Sequence, residues 1–178
     1  LSCSLLLVMA ANSQVKKDKP AMLLLPEKMT TIPSCCLEPV AGNNTDAHFM
    51  AIATTPAFGS MHEAPLPFEL ESPKGSMQSF DCADGQPGKG YLIPATSSSN
   101  KYLIVIQEWW GLNDHIKQEA EKYFAALDGM VHVLAVDLYD GKIATTADSA
   151  MKFIRQALSS NRKEIILQGA LNYAGTGA

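Results

Sequence analysis

The chain has 178 residues, of which 47% are hydrophobic and 18% are charged, and its formal net charge is −4. This balance is typical of a single globular domain. It shows no basic stripe of the kind that binds nucleic acid, and no apolar run reaches the roughly 18 residues that a membrane span requires.

The first twenty residues have the pattern of a secretory leader. The apolar residues 5–11 are followed by polar and charged residues 12–19, as at the end of a signal peptide. We therefore expect residues 1–20 to be a signal-peptide remnant and leader, and the protein to be secreted or periplasmic. A lipid-anchored form is one alternative, and a short buried strand or helix is the alternative for the apolar run.

The cysteines give no sign of a metal site. They lie at Cys3, Cys35, Cys36 and Cys82, which is not a metal-ligand spacing. We therefore expect no metal and no cofactor.

Prolines interrupt residues 21–75 every few positions. Such spacing prevents long helices and central strands, so this segment is predicted to be irregular. Within it, residues 62–70 are expected to dock as an extended strip through Leu66, Phe68 and Leu70.

The pattern becomes regular from residue 76 onward. Alternating residues, a cluster of turn residues and a short apolar run predict an antiparallel hairpin over residues 76–95. The continuous aliphatic run of residues 101–108 predicts a strand buried on both faces, and residues 131–139 predict a second one.

Three segments have helical periodicity. Residues 114–128 are predicted to form a helix that Asp114 caps and that ends at Gly129. Thr145 and Asp148 are expected to open a second helix, and the inward positions of the second helix are Ala147, Met151, Ile154 and Leu158. A third helix follows from residue 161. The order β-β-β-α-β-α-α predicts an α/β fold with a mostly parallel sheet and an antiparallel N-terminal hairpin.

Charged and aromatic residues gather where the two buried strands end. Glu108, Trp109 and Trp110 follow the first strand, and Asp137 and Tyr139 follow the second. In an open α/β sheet, ligands bind outside the carboxyl ends of the parallel strands. The helix start beside Glu108 offers backbone N–H groups to an oxyanion, and a carboxylate there can tune a nucleophile or hold a base. The alternative is that the tryptophans are packing residues and Glu108 is a loop acid.

At these residues the sequence resembles the dienelactone hydrolase family of the α/β-hydrolase fold, over roughly residues 76–178. The resemblance is carried by Gln107-Glu108-x-x-Gly111-x-Asn113 and by the later Asp137-Leu138-Tyr139. The segments HEAPLPFEL and WWGLND resemble secreted bacterial members. The resemblance implies that residues 76–178 are the N-terminal half of the domain, a partial α/β-hydrolase fold that is truncated before the nucleophile-bearing strand.

The family also implies a chemistry. Its members use a cysteine nucleophile in a Cys-His-Asp triad to hydrolyse small-molecule esters or lactones. The resemblance makes Glu108 the accessory acid near the nucleophile and the backbone N–H of Trp109 one donor of the oxyanion hole.

The nucleophile and the triad Asp and His are not recognisable in this chain. No Gly-x-Cys-x-Gly or Gly-x-Ser-x-Gly turn occurs, and residues 175–177 do not form one. We therefore expect the nucleophile to lie beyond residue 178 and the chain as written to be inactive. A serine-type α/β-hydrolase, acting as an esterase or peptidase, and a non-catalytic binding domain on the same fold remain as alternatives.

Several other polar residues are expected to be solvated or structural. They include Asp137, which is predicted to hold a loop, and the histidines His48, His62, His115 and His132.

Overall fold

The structure, a computed structural model, describes residues 9–12, 51–52, 55, 57–58, 62 and 64–176. Five strands form one sheet, namely β1 (Met9–Asn12), β2 (Ser76–Phe80), β3 (Gly88–Ile93), β4 (Lys101–Ile106) and β5 (His132–Asp137). Three helices follow the sequence order predicted above, namely α1 (Asp114–Ala126), α2 (Ala147–Leu158) and α3 (Arg162–Thr176). Within these residues, no helix combines the length and the apolar character needed to cross a bilayer.

The sheet is mixed, with the strand order β1-β4-β5-β3-β2. Among the described strands only β4 and β5 are parallel neighbours, with Ile104 opposite Leu134. The pairs β1–β4, β2–β3 and β3–β5 are antiparallel. The prediction of a mostly parallel sheet is therefore wrong for this part of the chain, because the predicted hairpin places β3 directly against β5.

Part of the apolar run near the N-terminus forms a strand. Met9–Asn12 lies antiparallel to β4, with Met9 opposite Ile104 and Asn12 opposite Lys101. For these four residues, the structure agrees with the alternative interpretation of the apolar run as a short strand. The signal-peptide interpretation of residues 1–20 stays a prediction, and so do the segment boundaries at residues 20 and 75.

Both faces of β4 are buried, as its aliphatic sequence predicts. Towards α1 the core contains Leu103, Val105, Ile116, Ala120 and Val133. Towards α3 it contains Tyr102, Ile104, Leu134, Ile166 and Ala170. Burying one large apolar side chain contributes about 1.5–3 kcal/mol. The end of β4 is therefore held by packing on two sides.

The N-cap of α1 lies one residue before the predicted cap. Asn113 is the N-cap, and its side-chain oxygen accepts a hydrogen bond from the backbone N–H of Ile116 at 3.1 Å. Asp114 instead accepts hydrogen bonds from Lys117 Nζ at 2.7 Å and from the backbone N–H of Leu70 at 3.0 Å. The cap prediction failed because Asn and Asp are nearly equivalent caps, so two adjacent candidates cannot be separated by sequence.

The start of α2 also differs from the prediction by one residue. Thr146 is the N-cap and forms a reciprocal capping box with Ser149. Among the predicted inward positions, Ile154 is buried and Ala147 is exposed, whereas Ala150 is buried without having been predicted.

The strip of residues 64–75 runs along α1 and docks mainly through its backbone. The carbonyl of Leu66 accepts a hydrogen bond from His115 Nε2 at 2.8 Å, and the backbone N–H of Lys74 donates to Glu121 Oε1 at 2.8 Å. Leu70 packs against the core, but the side chain of Leu66 is 81% exposed. The predicted docking is confirmed for Leu70 and is wrong for Leu66.

Candidate functional site

The loop that joins β4 to α1, residues 107–113, is tied to the loop that follows β5. Gln107 Oε1 accepts a hydrogen bond from the backbone N–H of Leu138 at 3.2 Å. The carbonyl of Trp110 accepts one from the backbone N–H of Ala144 at 2.8 Å. The predicted meeting of the two strand ends is confirmed, and the β4–α1 loop is held in one position.

Gly111 makes the sharp turn in this loop possible. Its backbone N–H donates to the carbonyl of Glu108 at 3.1 Å, and its φ is +96°. A Cβ atom at this position would lie 2.5 Å from the carbonyl oxygen of Lys142. Both the backbone conformation and the available space therefore require glycine.

The two tryptophans fix the loop against α2. Trp109 is 8% exposed and Trp110 is 2% exposed, and their rings meet edge to face at 4.8 Å between centroids. They pack against Ala144, Ala150 and Ile154. The interpretation of both residues as packing residues is confirmed, and it is compatible with a site at Glu108, because the packed tryptophans hold the loop that carries the carboxylate.

Glu108 lies in the chain between the buried residues Gln107 and Trp109, and its carboxylate has no partner among the described residues. Its side chain is half-buried, and no group among the described residues donates a hydrogen bond to it. Burial raises the pKa of Glu108, and the positive charges of His62 and His115 act in the opposite direction. A carboxylate with a raised pKa is a stronger proton acceptor than an exposed one, which suits a role as a base.

The two histidines whose charges lower the pKa of Glu108 belong to different segments of the chain. His62 Nδ1 lies 2.7 Å from the carbonyl oxygen of Phe58, and His115 Nε2 lies 2.8 Å from the carbonyl oxygen of Leu66. Because a carbonyl only accepts, these nitrogens carry the proton, and the other nitrogen of each neutral ring has the lone pair. Both histidines are predicted from the sequence to be solvated or structural, since no periodicity connects either one to Glu108.

The other two histidines differ from this pair. His132 stacks on Tyr102 at 4.5 Å between ring centroids, and its Nδ1 accepts a hydrogen bond from the backbone N–H of Ala95 at 3.1 Å. Its predicted structural role is confirmed. His48 lies outside the described residues.

The β4–α1 loop also contains N–H donors that have no partner among the described residues. The side-chain nitrogens Gln107 Nε2 and Trp109 Nε1 are buried and have no hydrogen-bond partner in the described structure. The backbone N–H of Trp109 also has no acceptor among the described residues. The loop therefore carries a half-buried carboxylate and an unpaired backbone N–H on adjacent residues, and an unpaired backbone N–H is the kind of donor that stabilises an oxyanion.

Asp137 and Cys82 belong to other parts of the structure. Asp137 accepts hydrogen bonds from the backbone N–H groups of Tyr139 at 3.0 Å and Gly141 at 2.5 Å, so its predicted role in holding a loop is confirmed. Cys82 packs in the cluster beneath α3. Within the described ranges, no group of three or more His, Cys, Asp or Glu side chains is arranged to hold a metal ion.

Glu108→Gln should change the pH dependence of stability. Because the folded pKa of Glu108 is raised, the folded chain binds more protons than the unfolded chain between the two pKa values. Stability contributed by this group therefore falls as the pH rises from the unfolded to the folded pKa. Glutamine does not titrate, so we expect the variant to gain stability relative to wild type across this window and to keep the gain above it. Urea midpoints measured over the acidic and neutral range test this, and a constant difference at every pH would contradict it.

Comparisons with known proteins give one match. No curated protein and no solved structure matches the chain. The family described as "Dienelactone hydrolase family" matches residues 89–176, which include β4, β5, the three helices and the whole β4–α1 loop. Through residues 89–176 the chain belongs to the dienelactone hydrolase family.

Proposed function

We propose that this chain is part of a carboxylic ester or lactone hydrolase that uses a cysteine nucleophile. The observation that carries the proposal is the half-buried, unpaired carboxylate of Glu108 at the carboxyl end of β4, within the segment that matches the family. Family membership supports hydrolase chemistry on a small molecule. The cysteine nucleophile and the ester or lactone substrate go beyond what family membership supports, and both are part of our proposal.

Glu108 acts in this proposal as the acid beside the nucleophile. A thiolate attacks carbonyl groups and a thiol does so poorly, so a neighbouring carboxylate that accepts the thiol proton activates it. Burial raises the pKa of Glu108 and brings its proton affinity closer to that of a thiol. The carboxylate keeps this property because the described residues provide no ion pair to lower its proton affinity further.

The backbone N–H of Trp109 supplies one donor to the oxyanion formed when the thiolate attacks. It needs no reorganisation, since Trp109 is buried and its neighbour Trp110 is hydrogen-bonded to Ala144. We place the nucleophile in sequence beyond residue 178. Cys82, the cysteine within the described ranges, packs beneath α3 and does not belong to the loop at Glu108.

The test is to extend the open reading frame past residue 178 and to assay the purified product on activated aryl esters and lactones. We expect turnover that iodoacetamide abolishes, and no turnover by the 178-residue chain. Turnover that resists iodoacetamide but is abolished by a serine-directed fluorophosphonate would favour a serine-type hydrolase. Absence of turnover with retained ligand binding would favour a binding domain. Hydrolysis by the 178-residue chain that Glu108→Ala abolishes would contradict the placement of the nucleophile.

We also propose that the protein acts outside the cytoplasm, in the secreted or periplasmic space. The apolar residues 5–11 followed by a polar and charged segment support this. Fractionation of cells that express the complete gene, followed by N-terminal sequencing, tests both the location and the cleavage.

A further inference from the structure

A short strand from the N-terminal part of the chain covers one edge of the central strand β4. β1 (Met9–Asn12) pairs with β4 from Asn12 opposite Lys101 to Met9 opposite Ile104. It has four residues, and in the described sheet it lies at the end of the strand order, with β4 as its neighbour. Three of its residues are Ala or Asn, which are depleted in strands. β1 is therefore held along a short length by one ladder of hydrogen bonds.

The pairing with β1 leaves the carboxyl end of β4 uncovered. β4 continues to Ile106, and β5 pairs with it as far as that residue, but the pairing with β1 stops at Ile104. Among the described residues, Val105 and Ile106 therefore have no partner strand on the β1 side. The chain continues directly from Ile106 into the β4–α1 loop that carries Glu108, so the open part of this edge adjoins the candidate site.

The two faces of the sheet carry different helices, and this decides where a further parallel strand can go. α1, which joins β4 to β5, packs on the face of Val105 and Val133, whereas α3 packs on the opposite face with Ile104 and Leu134. Connections between parallel strands are right-handed in about 98% of cases. With α1 on one face, the chain steps from β4 to β5. A connection that leaves β5 through α3 on the other face must step in the opposite direction, past β4.

We propose that β1 is an exchangeable cover of the β4 edge, and that the strand which follows α3 in the protein extended past residue 178 displaces it. The position beyond β4, to which a right-handed connection leads, is the one that β1 occupies. The incoming strand can start to pair at Val105 and Ile106 and then replace β1 along the edge. Before that, β1 protects an apolar edge that would otherwise recruit other chains. This inference rests on the proposed function, which puts the nucleophile beyond residue 178.

The competing arrangement keeps β1 in its position and adds the next strand to its outer side. β4 has six residues against four in β1, so the β4 edge supports the longer ladder. Neighbouring strands lie about 4.8 Å apart, so a strand outside β1 would be about 10 Å from β4. Displacement instead makes the new strand a direct neighbour of β4. The residues that follow this strand then come next to the loop of Glu108, because the carboxyl ends of parallel strands meet at the same edge of a sheet.

Hydrogen exchange followed by mass spectrometry tests the displacement in two proteins, the 178-residue chain and the protein extended past residue 178, both with residues 1–20 retained. In the 178-residue chain we expect the paired amides of β1 and β4 to be protected. In the extended protein we expect the protection of residues 9–12 to be lost and that of β4 to be kept. Continued protection of residues 9–12 in the extended protein would overturn the proposal, and so would free exchange of these amides in the 178-residue chain.

A disulfide that locks β1 onto β4 gives a second test. Asn12→Cys with Lys101→Cys places the two thiols at directly opposite positions. The matched control is Ser79→Cys with Lys89→Cys, at opposite exposed positions of β2 and β3, which stay paired in both proteins. We expect the β1–β4 lock to lower the thermal midpoint of the extended protein until the disulfide is reduced, and to leave the 178-residue chain folded. Equal tolerance of the two locks by the extended protein would contradict displacement.

Failure of this proposal can be told apart from failure of the proposed function. Ester hydrolysis by the extended protein with residues 9–12 still protected would overturn the displacement of β1 and leave the hydrolase function intact. Loss of that protection in an extended protein without turnover would support displacement and count against the hydrolase function.

Discussion

Glu108→Gln in the protein extended past residue 178 should lower kcat/KM by roughly 10²–10⁴-fold, the usual contribution of a positioned acid or base. Glutamine keeps the shape of the side chain and cannot accept the proton of a thiol. The loop should keep its structure, because its fixed contacts are made by the backbone and by Gln107, Trp109 and Trp110. Steady-state hydrolysis of an activated ester measures the loss.

The same variant should change the reactivity of the nucleophile. Alkylation by iodoacetamide follows the thiolate population, so removing the neighbouring proton acceptor should shift its pH profile. The matched control is Glu119→Gln, since Glu119 lies on the solvent side of α1 and, among the described residues, is paired with Lys122 at 2.6 Å. We expect the control to retain turnover and the wild-type alkylation profile. Equal behaviour of the two variants would make Glu108 an ordinary loop acid.

Gly111→Ala should destabilise the fold by about 2–5 kcal/mol. A left-handed backbone costs a residue with a Cβ atom about 1–2 kcal/mol, and overpacking typically adds about 1–3 kcal/mol. Both apply, since φ is +96° and the added Cβ would lie 2.5 Å from the carbonyl oxygen of Lys142. Relief of that clash would separate the β4–α1 loop from the loop after β5. The free energy of unfolding, measured in urea, gives the cost.

Gly141→Ala is the control for that measurement. Gly141 also has a positive φ, +87°, but nothing lies within 4 Å of a Cβ atom built there. It should therefore lose only the backbone contribution, about 1–2 kcal/mol. An equal loss in the free energy of unfolding for Gly111→Ala and Gly141→Ala would mean that the clash with the Lys142 carbonyl is relieved at no cost, and that the contact between the two loops is not rigid.

The central strands and the place of the site could be predicted because they depend on local pattern. A short continuous run of β-branched and aliphatic residues is typical of a strand buried on both faces, and this pattern predicted β4 and β5. Once two parallel strands are assigned, their carboxyl ends must meet, so the closeness of the Glu108 and Asp137 loops followed from topology. The number of antiparallel neighbours did not follow, since no local signal states that β3 pairs with β5.

The surroundings of Glu108 could not be predicted for a related reason. His62 reaches the site through stacking on Phe58 and contact with Trp109, and these contacts join segments without any shared periodicity. The helix caps were missed by one residue, because adjacent polar residues compete for the same role. Each wrong prediction concerns either a contact between segments that are distant in sequence or a choice between adjacent residues that can play the same role.

The order of the strands has a consequence for synthesis of the protein. β5 lies between β4 and β3 in the sheet but is the last of the described strands to leave the ribosome. Before residues 132–137 emerge, the β2–β3 hairpin and β4 each have an unpaired edge, and that of β4 belongs to a strongly apolar strand. Such edges recruit other chains, and nascent domains are most exposed to aggregation while they wait for a partner strand. A translational pause while residues 132–137 are still inside the ribosome should therefore increase aggregation, whereas a pause after they have emerged should not.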